Sequence, residues 1–148
     1  FGETPYAEGQ GDRTDLQYSN SYPNDLTLLK KLKAKGIPVV SIFITGRPLW
    51  INPELNQSDA FVVAWLPGTE GAGVADVIIG DQNRNSKFDF KGKLSFSWPK
   101  HATQTVLNEG QKAYSPLFTY GFGLTYKDTD QLGDDLSEEP TPMRDKLL

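Results

Sequence analysis

The run Val39-Val40-Ser41-Ile42-Phe43-Ile44 constrains this chain more than any other, because it is nearly continuous in apolar, mostly β-branched residues. A strand with one solvated face alternates apolar and polar side chains. A run without that alternation suits a parallel strand covered on both faces. A second run of the same kind follows at Ala60-Phe61-Val62-Val63-Ala64-Trp65-Leu66. Each run empties into a loop, Thr45-Gly46-Arg47-Pro48 after the first and Pro67-Gly68-Thr69-Glu70-Gly71-Ala72-Gly73 after the second. Ahead of the first run, Asn24 or Asp25 can cap a helix over Leu26, Leu28, Leu29 and Leu32, which Gly36 stops and Pro38 keeps from continuing. A short helix with Val74, Val77 and Ile78 facing inward comes after the second run, and Gly80 ends it. Lys93-Leu94-Ser95-Phe96-Ser97-Trp98 alternates like an edge or half-exposed strand. Helix, strand, strand, helix, strand in this order indicates an α/β sheet.

The pattern changes from Gln111 onward. Tyr114, Phe118, Tyr120, Phe122 and Tyr126 are interleaved with Pro116, Gly121 and Gly123, an irregular aromatic segment suited to wrapping over a surface. Beyond Lys127 the chain is acidic and poor in aromatics, with Asp128, Asp130, Asp134, Asp135, Glu138 and Glu139 followed by Pro140 and Pro142. That composition reads as a linker or tail. The organisation is therefore a domain over 1–126 and an acidic stretch over 127–148.

The 148 residues suffice for one domain with a real core, while a hydrophobic content of 37% implies that polar loops or tails dilute it. A net charge of −4 argues against nucleic acid, whose phosphates require clustered Lys and Arg. The basic run Lys30-Lys31-Leu32-Lys33-Ala34-Lys35 belongs to the solvated face of the first helix. With no cysteine there is neither a disulfide nor a thiolate metal site, and no stretch has the length of a membrane span.

Residues 1–13 read as a structured loop leaving the end of a strand, the position from which α/β proteins present chemistry. Glu3 and Glu8 flank the Pro5-Tyr6 turn, glycines follow, and Asp12-Arg13 closes the stretch. A loop carboxylic acid can protonate a leaving-group oxygen if its pKa is raised, and it can equally brace a loop. Asp12 and Arg13 are better suited to bracing, through hydrogen bonds between carboxylate, guanidinium and turn amides. Because the loop begins at residue 1, the strand feeding it is absent or barely begun, and the chain reads as the back end of a larger protein.

Other motifs carry less. The glycine-rich stretch 68–73 lacks the lysine and spacing of a phosphate loop. Asp81-Gln82-Asn83-Arg84-Asn85 begins like a calcium loop, but Ser86 and Gly92 stand where the turn glycine and bidentate glutamate belong, so no metal is expected. His101 is the only histidine and cannot build a zinc site alone. Trp65 and Trp98 fall in strand patterns and should pack in the core. Trp50, in a loop, can stack on a sugar or pack against the sheet edge.

Taken in order, these segments resemble the C-terminal α/β-sandwich domain of glycoside hydrolase family 3. The resemblance rests on Gly2-Glu3-Thr4-Pro5-Tyr6-Ala7-Glu8-Gly9 with Gly11-Asp12-Arg13, on Thr45-Gly46-Arg47-Pro48-Leu49, and on Ala64-Trp65-Leu66-Pro67-Gly68-Thr69-Glu70-Gly71 with Gly73-Val74-Ala75-Asp76. It continues through Gly92-Lys93-Leu94-Ser95-Phe96-Ser97-Trp98-Pro99 to Pro116-Leu117-Phe118 and Tyr120-Gly121-Phe122-Gly123-Leu124-Thr125-Tyr126. The wording is similar to that of bacterial exo-1,3/1,4-β-glucanases. The resemblance implies a fold, an activity and a site. The implied fold is the C-terminal part of a mostly parallel-sheet α/β sandwich. The implied activity is that of a retaining, exo-acting β-glucosidase or β-glucan glucohydrolase that needs no cofactor, in the periplasm or outside a bacterial cell. By the same resemblance, Glu8 occupies the position of the general acid/base, with Glu3 as the fallback. The nucleophilic aspartate would come from an N-terminal barrel domain, and the substrate would be a β-glucan or β-glucoside oligosaccharide. Without the barrel the chain should be inactive and should expose an unpaired sheet edge. The alternative is a non-catalytic carbohydrate-binding or interaction module, using Trp50 and the aromatic segment 114–126.

Overall fold

The computed structural model describes residues 1–4, 12–83, 85–129, 132–133 and 135–141. Among the described residues, six regular elements follow in the order α1 (Tyr18–Ser21), α2 (Pro23–Ala34), β1 (Val40–Ile44), α3 (Asn52–Asn56), β2 (Ala60–Trp65) and α4 (Gly71–Ile78), with one 3-10 turn at Gly68–Glu70 leading into α4.

The two apolar runs form the parallel pair that their pattern indicates, with Val40 opposite Ala60 and Phe43 opposite Val63. One face of β1 is well covered, through Ser41 and Phe43, whereas Ile42 and Ile44 are half-buried and Val40 is exposed. Covering on both faces is therefore only partial among the described residues. Phe43 has no exposed surface and sits at the centre of the core with Tyr18, Leu49, Ile51, Leu55 and Trp98. The Tyr18 ring meets it edge-on at 5.0 Å, and Trp98 approaches from another side at 6.5 Å. Edge-on packing directs the positive rim of one ring at the negative face of the next.

Helix α2 starts one turn earlier than its leucines suggest. Pro23 occupies the first turn, where its missing N–H costs nothing, and neither Asn24 nor Asp25 caps the helix. Asp25 instead accepts a 2.6 Å hydrogen bond from the Tyr18 hydroxyl. Gly36, at φ +68°, takes the left-handed turn that ends the helix. Residues 93–98 do not form a continuous strand. Trp98 makes an isolated antiparallel bridge with Phe118, and Leu94 exchanges backbone hydrogen bonds with Gly121 and Phe122. The alternation is explained by this broken pairing to the aromatic segment.

Within the acidic stretch, residues 136–140 are docked on the domain. Leu136 packs against the core, the Ala102 amide donates to Pro140 O at 2.8 Å, and Asn52 and Asn56 of α3 hold residues 136–138. Composition suggests solvation here, but one apolar residue and a row of backbone groups suffice to dock the segment.

Candidate active site

The loops that follow β1 and β2 lie at the carboxyl edge of the sheet, where open α/β sheets present ligands and chemistry. A third backbone joins them. Gly2 bridges Ile44 in parallel, with the Ile44 amide donating to Phe1 O and the Glu3 amide to Ile44 O, each at 3.0 Å. The approach is so close that a Cβ on Gly2 would overlap the carbonyl oxygen and side chain of Ile44. Glycine at this position is a packing requirement.

That contact delivers Glu3 into a buried polar cluster. Glu3 keeps 7% of its surface exposed. Arg47 binds it with Nη2 3.0 Å from Oε2, while Nε lies 3.3 Å from both carboxylate oxygens. The Thr45 hydroxyl stands 2.9 Å from Glu3 Oε1 and 2.7 Å from Arg47 O, with one proton to share between them. Thr45 itself is fully buried. Residues before the loop and residues after β1 are thus tied into one rigid corner by a forked, charge-assisted pairing.

The residues on either side of 5–11 are tied to the same helical turn. Thr4 donates its amide to the Tyr22 hydroxyl at 3.1 Å, and Tyr18 OH reaches Gly2 O at 3.1 Å. On the far side, Arg13 donates to the backbone oxygens of Asp15 and Gln17 and to Ser21 Oγ. Arg13 therefore braces the chain through carbonyls and a serine of α1. Asp12 is exposed. Glu8 lies outside the described residues.

Strand β2 is irregular at this same edge. The register shifts between Phe43 and Ile44, so that Ile44 pairs with Trp65, and Trp65 adopts φ +53°. Bulges and left-handed non-glycine residues collect next to functional sites because they re-aim the chain. The Trp65 ring stays half-buried and packs 6.1 Å from Trp98.

Trp50 does not offer a sugar platform. It is 1% exposed, and its indole N–H donates to Lys100 O at 3.1 Å. Its backbone bonds Leu16 on one side and Tyr18 on the other, which draws the ring inward and leaves neither face free. The sugar-stacking expectation for Trp50 is corrected accordingly. Asp81 closes its own turn by accepting from the Asn83 and Asn85 amides, and the described residues contain no group of three or more His, Cys, Asp or Glu side chains able to hold a metal. No helix among the described residues is long and apolar enough to cross a membrane.

The short helix α3 escaped the sequence reading. Its signal is Asn52-Pro53-Glu54, a proline and an acid in a first turn. It carries Glu54, a fully buried acid.

The glycosyl hydrolase family 3 C-terminal domain matches residues 1–126. The chain belongs to this family. This family 3 domain is 34% identical to the periplasmic β-glucosidase of Salmonella typhimurium, over 80% of the chain and 17% of that protein. It is 35% identical to the lysosomal β-glucosidase of Dictyostelium discoideum, over 85% of the chain and 15% of that protein. Among solved structures, the exo-1,3/1,4-β-glucanase ExoP of a Pseudoalteromonas species superposes with a TM-score of 0.90 at 55% identity, over 95% of the chain and 18% of that protein. The family 3 domain thus spans less than a fifth of each of these relatives.

Proposed function

We propose that this domain supplies the general acid/base of a retaining, exo-acting β-glucosidase or β-glucan glucohydrolase, and that Glu8 is that residue. The observation that carries the reading is the anchoring on both sides of 5–11. Glu3, Arg47 and Thr45 fix one side at the carboxyl edge of the sheet, and Arg13 fixes the other on α1. A general acid must be held within reach of the bond it protonates. Glu3 is buried with both oxygens engaged by Arg47, which suits a brace and leaves Glu8 as the acid.

In the double displacement, the glycosidic oxygen leaves with the Glu8 proton as an aspartate attacks the anomeric carbon. Glu8, now a carboxylate, takes a proton from water, and that water releases the sugar from the aspartyl ester. The aspartate belongs to an N-terminal barrel domain of the longer enzyme, and the substrate is the non-reducing glucosyl end of a β-glucan or β-glucoside. With one carboxylate of the two, the domain alone is inactive.

The test is azide rescue in the parent polypeptide carrying Glu8→Ala, with an activated aryl β-glucoside. Restored turnover and a β-glucosyl azide product are expected, because azide attacks the glycosyl-enzyme without needing a base. Near-normal activity of Glu8→Ala on both activated and unactivated substrates would overturn the assignment and move it to Glu3.

A further inference from the structure

Among the described residues two acids, Glu3 and Glu54, are buried, and their surroundings differ. Glu3 has a guanidinium on both oxygens. Glu54 is 0% exposed, and neither of its oxygens has a hydrogen-bond partner. A buried carboxylate without partners is costly, whereas a neutral carboxyl is far cheaper to hide.

Glu54 lies in α3 between the two asparagines that hold the acidic segment. Asn56 forms a reciprocal pair with Leu136, donating to its oxygen at 2.9 Å and accepting from its amide at 3.0 Å. Asn56 Nδ2 also donates to Glu138 Oε1 at 3.1 Å, and Asn52 Nδ2 donates to Ser137 O at 2.9 Å. The charged groups around Glu54 come from two elements packed on α3. Glu138 faces it from the docked segment, and Asp25 and Lys30 face it from α2. Tyr18 of α1 hydrogen-bonds Asp25, and Lys33 of α2 places its ammonium on Asn56 O at 2.6 Å. Two carboxylates, Glu138 and Asp25, thus stand with two lysines, Lys30 and Lys33, around the clasp.

We propose that Glu54 is a proton-operated latch for residues 135–140: protonated, it lets the segment close on α3, and ionised, it drives the segment off through repulsion with Glu138. The direction of its titration agrees with this geometry. Burial, reinforced by Glu138 and Asp25, raises the Glu54 carboxyl from 4.5 to about 7, against the weaker pull of its own nearby backbone amide and of Lys30. The latch therefore operates near neutral pH.

Hydrogen exchange of the 132–141 peptide tests it, in wild type and in Glu54→Gln, each measured at about pH 5 and about pH 8. The ratio between the two proteins at one pH cancels the intrinsic pH dependence of exchange. Equal protection at pH 5 and exchange about tenfold faster in wild type at pH 8 are expected, a tenfold ratio corresponding to one pH unit of linkage. Equal protection at both pH values would overturn the latch. Should Glu54→Gln fail to fold, a carbon-13 titration of the wild-type Glu54 carboxyl decides the matter. A midpoint near neutrality supports the latch, and one at or below the ordinary glutamate value overturns it. Glu138→Gln keeps an oxygen for Asn56 but removes the charge, and should reduce the extra exchange of the segment at about pH 8. An undiminished excess would overturn the repulsive role given to Glu138.

Discussion

Glu3 and Arg47, 44 residues apart in sequence, form a forked pair with Nη2 3.0 Å from Oε2 and Nε 3.3 Å from each oxygen. The pair couples the backbone beside β1 to the loop that follows β1, so its strength bears on the geometry of the whole carboxyl edge. Replacing Arg47 by Met leaves a buried carboxylate with Thr45 as its remaining partner among the described residues. The expected loss is about 3 kcal/mol, at the low end for a buried pair because the Arg47 side chain keeps 27% of its surface exposed. Adding Glu3→Gln should return part of that loss. Urea denaturation of both single variants and the double variant checks this, and strictly additive losses would show that the two side chains are not coupled.

Gly2 is held against Ile44 with no room for a methyl group. Gly2→Ala must push the first residues off β1, breaking the hydrogen bonds that join Phe1 and Glu3 to Ile44. A cost of about 1–3 kcal/mol is expected for overpacking of this kind. Faster exchange of the Ile44 and Glu3 amides should accompany it, and wild-type exchange at those two amides would rule the displacement out.

Phe43 has no exposed surface and touches rings on several sides, whereas Phe61 on the neighbouring strand is half-buried. Phe43→Ala should cost about 3–5 kcal/mol through lost burial and a residual cavity. Phe61→Ala should cost less. Thermal or urea unfolding of the two variants orders them, and an equal or reversed order would displace Phe43 from the centre of the core.

Glu54 makes the stability of the domain depend on pH. Its folded carboxyl is raised above the unfolded value of 4.5 to about 7, so its contribution is most favourable below pH 4.5 and is lost as the pH climbs through 7. The rise corresponds to about 3 kcal/mol. Glu54→Gln should match wild type near pH 4 and exceed it by about this amount near pH 8. Parallel stability curves for the two proteins across that range would show that Glu54 is not the titrating group.

The local pattern alone determined the parallel strand pair, the end of α2 and the order of motifs shared with family 3. Those features are written in short-range chemistry. An apolar run without alternation needs cover, a glycine at φ +68° ends a helix, and spaced motifs survive as words. Only the tertiary structure decided the fates of Trp50, Glu54 and the acidic segment. Trp50 occupies loop sequence, yet it is buried because a carbonyl at Lys100, 50 residues away, accepts its indole N–H. The stretch beyond Lys127 has the composition of a solvated tail, yet Asn52 and Asn56 hold residues 136–138 from 80 or more positions away. Periodicity and composition record what a residue prefers among its neighbours along the chain. Burial and docking depend on distant partners, and those meet only when the chain has folded.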